Sequence, residues 1–371
     1  MNRKSNLIYN VIILAVTIAS AFIVVAVANN TYVSELFPTI LLFLLGAIIA
    51  GLLNTLLHEW GHVLAGKRAG MEFLSLRLWF FTIVKESGKT KWVWSRFIDQ
   101  AGACEMLPTK SDDLKKSFAR MTAGGLIGSA VCVALGIVFA CLAGIFPWWL
   151  YCICSIFLPV SAYCFLTNAL PMSDQGIRND GGVLYGIRHD DDTTKVALNL
   201  LQIQAELHAG KSPSEIAPEL YFDLPQLVED DVNFLLLLSA RYAYYVDAGN
   251  LENANKISER LFLIKKYVPK VFADQYNCDL LYNACAIKKS EYEADDLMDY
   301  VEKYLNASDT ATSMRIKTAY VLYVVADREE AARFLERGES LIEDEPILGI
   351  AKMERKLFER MRTDLASVSG E

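Results

Sequence analysis

The sequence has no stripe of basic residues interleaved with aromatics, which removes the usual footprint of nucleic-acid binding. Its second half has no glycine-rich phosphate loop and no second cluster of catalytic residue types. Its eight cysteines show no zinc-finger spacing: Cys132, Cys141, Cys152, Cys154 and Cys164 sit in apolar runs as small hydrophobes, and Cys104, Cys278 and Cys285 are scattered. All eight read as reduced thiols, which excludes a disulfide scaffold and suits a cytosol-facing chain. Lys and Arg are missing altogether from residues 29–36 and from residue 147, two short gaps between apolar runs.

What is present is divided unevenly over 371 residues. Residues 1–186 carry 14 Lys+Arg and 10 Asp+Glu, whereas residues 187–371 carry 22 and 34. The mean hydropathy of +0.25 is too apolar for an ordinary soluble domain, yet the second half has an ordinary soluble composition. A membrane part at 1–188 and a soluble part at 189–371 are therefore expected on one chain.

Crossing a hydrocarbon layer about 30 Å thick takes about 20 apolar residues as helix. Stretches 7–28, 37–65, 124–146 and 148–170 meet that requirement. Arg3 and Lys4 before the first stretch, and eleven Lys or Arg within 67–123, place the N-terminus, that loop and the C-terminal part in the cytosol. Ala26-Val27-Ala28 allows the alternative that the first span is a cleaved signal peptide. Gly124 and Gly128 form a small-xxx-small pair, and Gly46 and Gly51 are expected to flatten one side of the second span. Pro159 predicts a kink or break in the fourth.

The second span ends in His58-Glu59-Trp60-Gly61-His62. On a helix, positions four apart share a face, so both imidazoles can reach one Zn2+, with Glu59 beside them to handle the proton of a water. With 4 His and 23 Glu in 371 residues, a chance match is expected about 0.003 times. Ionisable groups near the end of such a span are costly unless they serve a site. A catalytic zinc usually has three protein ligands, and His189 and His208 lie in or beside the soluble part. The fourth span ends in Asn168-Ala169-Leu170-Pro171 and is followed by Asp174 and by Asn179-Asp180-Gly181-Gly182.

This set resembles the site-2 protease family of intramembrane zinc metalloproteases: His-Glu-x-x-His on one membrane helix, Asn-x-x-Pro on another, and a later Asp-Gly. The segment Arg120 to Gly125 is also similar to that family's Ala-Gly-Pro segment, with Gly125 in place of the usual Pro. The resemblance covers about residues 36–187. It implies that His58, His62 and Asp180 hold the zinc, that Glu59 is the general base and that Asn168 stabilises the oxyanion. Asn168 and Asp180 are 12 residues apart, more than the common pattern, so Asp174 stays open as third ligand. Five residues from His62 to Lys67 correspond to about 7.5 Å of helix, which puts the expected metal inside the bilayer near its cytosolic face.

Between the second and third spans, 73–84 and 91–97 are rich in aromatic and β-branched residues and flank Glu86-Ser87-Gly88-Lys89, a pattern that predicts a β-hairpin. Its edge suits addition of an extended substrate, and its Trp79, Phe80, Phe81, Trp92 and Trp94 equally suit a flap on lipid headgroups. In the second half, turns beginning at Ala248, Lys289 and Ala326 resemble one another at spacings near 40 and 37, which suggests stacked, tetratricopeptide-like helical hairpins or an irregular bundle, either able to bind a protein partner.

The expected fold is thus an all-α polytopic membrane protein with four transmembrane helices, a small β-hairpin in the cytosolic loop and an all-α soluble domain. The resemblance implies a multi-pass protein of a bacterial cell membrane that cuts a protein or small-peptide substrate within or next to a membrane segment. The alternative is an inactive membrane-tethered scaffold, against which stands the intact set His58, Glu59, His62 and Asp180. A transporter is disfavoured, since four spans show no internal repeat.

Overall fold

The computed structural model describes residues 3–33, 35–86, 89–94, 101–109 and 113–367. It is mostly helical with a small antiparallel sheet, and the chain divides into two compact units, Met1–Thr194 and Lys195–Glu371.

In the first unit, α1 (Arg3–Thr31), α2 (Leu36–Arg68) and α3 (Leu114–Cys141) are single helices. The fourth apolar stretch is two helices, α4 (Trp148–Ser155) and α5 (Phe157–Ala169). The interruption at Ile156 has a local cause: in a continuous helix residue 159 would donate to the Ser155 carbonyl, and Pro159 has no N–H. The four stretches Ser5–Thr31, Leu36–Arg68, Leu114–Cys141 and Trp148–Ala169 are long and apolar enough to cross a membrane. With 33 residues, α2 is about 50 Å long, well beyond the apolar layer's thickness.

Close helix approach follows from glycine. A Cβ at Gly61 would stand 2.2 Å from the Gly124 carbonyl oxygen, and one at Gly128 would stand 2.2 Å from that of Leu57. The backbones of α2 and α3 thus touch along one seam. Gly46 serves the same purpose toward α4, where its Cβ would meet the Ile153 carbonyl at 2.4 Å. Gly51 faces open space, which corrects the expectation that it flattens a packing face. Asn54 Nδ2 donates to Ser161 Oγ at 2.9 Å, a buried bond that ties α2 to α5.

The loop after α2 is a four-stranded antiparallel sheet, larger than the expected hairpin, with β1 (Met71–Leu78), β2 (Phe81–Glu86), β3 (Lys89–Trp94) and β4 (Gly102–Pro108) in the order β3-β2-β1-β4. The stretch predicted as one strand is broken by a two-residue turn at Trp79-Phe80, where Trp79 takes φ 59°. These large apolar residues carry no turn signal, so the turn was invisible to composition. Aromatic packing holds this corner, with Phe80 stacked on Trp94 at 5.2 Å and Phe81 edge-on to it at 4.6 Å. The β2–β3 pairing runs to Glu86↔Lys89; the predicted turn residues Ser87 and Gly88 and the predicted strand end at 95–97 lie outside the described residues. After α5 come a two-residue ladder, β5 (Ser173–Asp174) with β6 (Ile177–Arg178), and then α6 (Asp180–His189).

Helix α7 (Asp192–His208) contains the division between the units. The second unit holds α8 (Glu219–Phe222), α9 (Val232–Asp247), α10 (Leu251–Ile264), α11 (Lys270–Tyr282), α12 (Glu291–Ala307), α13 (Ala311–Tyr320), α14 (Arg328–Leu341) and α15 (Leu348–Ser367). The pairs α9/α10, α11/α12 and α13/α14 share one turn design. A residue with positive φ (Gly249, Lys289, Ala326) precedes Asn250, Ser290 or Asp327 at the next helix's N-cap. Five positions after the positive-φ residue, Ala254, Ala294 and Ala331 are fully buried. A small residue there lets each second helix lie close against its neighbours. All eight cysteines are free.

Candidate metal centre

The helical register of α2 puts His58 and His62 on one face, and α3 orients both rings. His62 Nδ1 lies 2.9 Å from the Met121 carbonyl oxygen. A carbonyl only accepts, so Nδ1 donates and the neutral ring keeps its lone pair on Nε2. His58 Nδ1 lies 2.8 Å from Ser129 Oγ, a hydroxyl that is itself buried. Such outer partners are what fixes the orientation of a metal-binding imidazole.

The two Nε2 atoms are 3.2 Å apart, and Asp180 Oδ2 is 3.2 Å from that of His58 and 3.3 Å from that of His62. Asp180 Oδ2 is buried and, among the described residues, has no donor other than these imidazoles. Three lone-pair atoms packed together in a buried site repel one another unless a cation lies between them. Ligand atoms about 2.0–2.2 Å from a tetrahedral zinc stand roughly 3.3–3.5 Å from one another. The observed triangle nearly has that size, so two imidazoles and one carboxylate fit a tetrahedral zinc ion with a fourth position left over.

Asp180 reaches this place by a short detour of the chain. Gln175 and Gly176, at φ 47° and 82°, make the tight turn between β5 and β6, which returns the backbone to the end of α5. Asn179 then acts as a clip. Its Nδ2 donates to the Thr167 and Leu170 carbonyls, and its Oδ1 accepts from Met172 N at 3.0 Å and Gly182 N at 2.9 Å. The last of these bonds caps α6, which starts at Asp180. Gly181 lets the clip close: a Cβ there would stand 2.2 Å from the Ala169 carbonyl oxygen. The 12 residues from Asn168 to Asp180 are thus folded into a hairpin. Asp174, the other candidate ligand, is exposed in β5 and outside the cluster.

Glu59 is 6% exposed and lies beneath the sheet, since a Cβ at Gly102 of β4 would come within 2.6 Å of its Oε1. Its carboxyl feels both imidazoles and Asp180. Asn168 is not among the converging ligand atoms; its Nδ2 donates to the Cys164 carbonyl one turn back. His189 packs on Tyr185 with ring centroids 3.9 Å apart and takes no part in the cluster.

Several residues of the site were missed in the sequence. Ser129, the Met121 carbonyl and Asn179 carry no motif of their own, although an Asn directly before Asp-Gly-Gly is a readable N-cap. Gly125, noted only as a departure from the family's Pro, faces the cluster directly: a Cβ there would stand 2.3 Å from His62 Nε2 and 2.9 Å from His58 Cε1. Comparison of the chain with protein-family models, with curated proteins and with solved structures gave no match.

Proposed function

We propose that this chain is an intramembrane zinc endopeptidase of the site-2 protease kind, hydrolysing a peptide bond within or next to a membrane segment of a protein or peptide. The observation that carries this proposal is the buried triangle of His58 Nε2, His62 Nε2 and Asp180 Oδ2, with both histidines and the adjacent Glu59 on a helix long and apolar enough to span a bilayer. Apolar side chains left exposed along the four stretches, such as Phe22, Leu44 and Ile127, support placement in lipid. When bound, zinc would supply Lewis-acid activation of a water and of the scissile carbonyl.

The protein groups divide the remaining work. Glu59 takes the proton of the attacking water on its carboxylate and delivers it to the nitrogen of the leaving amine. Burial beneath Gly102 keeps that carboxylate away from bulk water. Ser129 and the Met121 carbonyl hold the imidazoles so that both Nε2 lone pairs face the metal position. Asn168 is assigned, by family likeness, to hydrogen-bond the developing oxyanion, for which its amide must turn away from the Cys164 carbonyl.

The decisive variant is Glu59→Gln, which removes the base and leaves the ligands. It is expected to keep stoichiometric zinc and to lower cleavage of a membrane-segment reporter about 10²–10⁴-fold. Unchanged cleavage by this variant would end the proteolytic proposal.

A further inference from the structure

Among the clefts of the second unit, one between α9 and α11 combines apolar walls with a carboxylate. Its volume is about 70 Å3; Leu236, Val268 and Phe272 form the walls, and Asp279, Ser239 and Gln275 provide the polar lining. Asp279 is deep in the helix layer yet reached from solvent through this opening. Its carboxylate has no hydrogen-bond donor among the described residues, and the cation that acts on it, Arg315, is already committed. Arg315 donates from Nε to Glu354 Oε2 at 2.7 Å and lies 4.2 Å over the Tyr282 ring. Two acids, Asp279 and Glu354, thus face one buried guanidinium that is paired with Glu354, which leaves Asp279 at the base of an apolar cleft with no ion-pair partner among the described residues.

From this geometry we infer that the cleft is a socket for one Lys or Arg side chain of a partner polypeptide. The chemistry is specific. A methylene stem suits the Leu236, Val268 and Phe272 walls, while an ammonium has three donors to place on the acceptors of Asp279, Ser239 and Gln275. A divalent cation is a poor occupant, because one carboxylate among apolar walls offers too few hard oxygens. Charge at larger range agrees: residues 195–371 hold 21 Lys+Arg against 31 Asp+Glu, a net −10 that draws basic segments. Juxtamembrane segments of membrane proteins are rich in Lys and Arg on the cytosolic side, so a substrate of the proposed protease is one source of such a side chain.

Burial pushes the Asp279 carboxyl up to about 7, even though Arg315 opposes the shift. The titratable and charged groups facing it are Tyr242 from α9, Tyr276 and Cys278 from α11, Arg315 from α13 and Glu354 from α15. A cationic side chain binds the ionised form, so affinity must rise with pH and level off above about 7.

The test uses the full chain in detergent and two peptides, Ac-Ala-Ala-Lys-Ala-Ala-NH2 and its norleucine counterpart, titrated by calorimetry. The binding readout does not depend on catalysis. The lysine peptide is expected to bind saturably, about tenfold more tightly at pH 8 than at pH 6, and at least about tenfold more tightly than the norleucine peptide. Asp279→Asn should remove both differences. Leu236→Trp, which fills the mouth and leaves the acid in place, should abolish binding with the helical circular dichroism unchanged. Equal binding of the two peptides, retention of lysine preference by Asp279→Asn, or no binding by the folded wild-type chain would overturn the inference.

Discussion

His58 and His62 were readable from spacing because their relation is local, four positions on one helix. The third residue of the cluster lies 118 residues after His62 along the sequence, and only family likeness ranked Asp180 above Asp174. The geometry separates the two, with Asp180 Oδ2 within 3.3 Å of both imidazoles and Asp174 exposed in a two-residue strand. Zinc content measured on purified variants is therefore expected to fall to near zero for Asp180→Ala and to stay at one per chain for Asp174→Ala. The reverse pattern would move the third ligand. Ser129 and the Met121 carbonyl stayed illegible for a physical reason. Each meets its histidine across 71 and 59 residues of sequence, so its role exists only once α3 has packed on α2.

The four apolar helices were legible in outline because length and hydropathy suffice to find them, whereas their ends were not. Helix α3 begins at Leu114, ten residues before the predicted start, because Asp113 caps it and its polar first turns still form helix. The glycines show how packing decides what composition cannot. Gly125 and Gly51 look alike in sequence, yet a methyl at 125 would strike the His62 ring and one at 51 would meet nothing within 4 Å. Gly125→Ala is expected to destabilise the fold by about 1–3 kcal/mol through overpacking and to weaken zinc retention. Gly51→Ala should be neutral or slightly stabilising through helix propensity. Thermal unfolding in detergent with and without chelator would check both, and equal effects of the two substitutions would contradict the seam between α2 and α3.

For the whole molecule, pH acts most visibly on the second unit. Asp279 has a folded pKa of about 7 against an unfolded value near about 3.9. Between those values the unfolded chain binds fewer protons than the folded one, so this group lowers stability as pH rises from about 4 to about 7 and adds no further slope above. Asp247 works in the opposite sense. Burial raises its carboxyl, but Lys356, with Nζ at 2.8 Å, and the donors of Ser214 hold it below the ordinary range. Its contribution is present above the unfolded value and is lost as pH falls through the folded one. Asp279→Asn is thus expected to lie within about 1 kcal/mol of the wild-type chain near pH 4.5 and to exceed it by on the order of a few kcal/mol more at pH 8. Chemical denaturation at the two pH values would reveal this crossover, and a difference independent of pH would exclude Asp279 as its source.

The seam of Gly61, Gly124, Gly125 and Gly128 also limits how the first unit can deform. Backbones that already touch have no volume to give up, and sliding them would carry the imidazoles away from Ser129 and Met121, which hold them in place. Helices α2 and α3 must then move as one body that carries both imidazoles. Asp180 reaches that body on α6, which Asn179 clips to the end of α5, and α5 is itself tied to α2 through Asn54 and Ser161. For the proposed peptidase, a substrate must therefore reach the cluster of His58, His62 and Asp180 without parting α2 from α3.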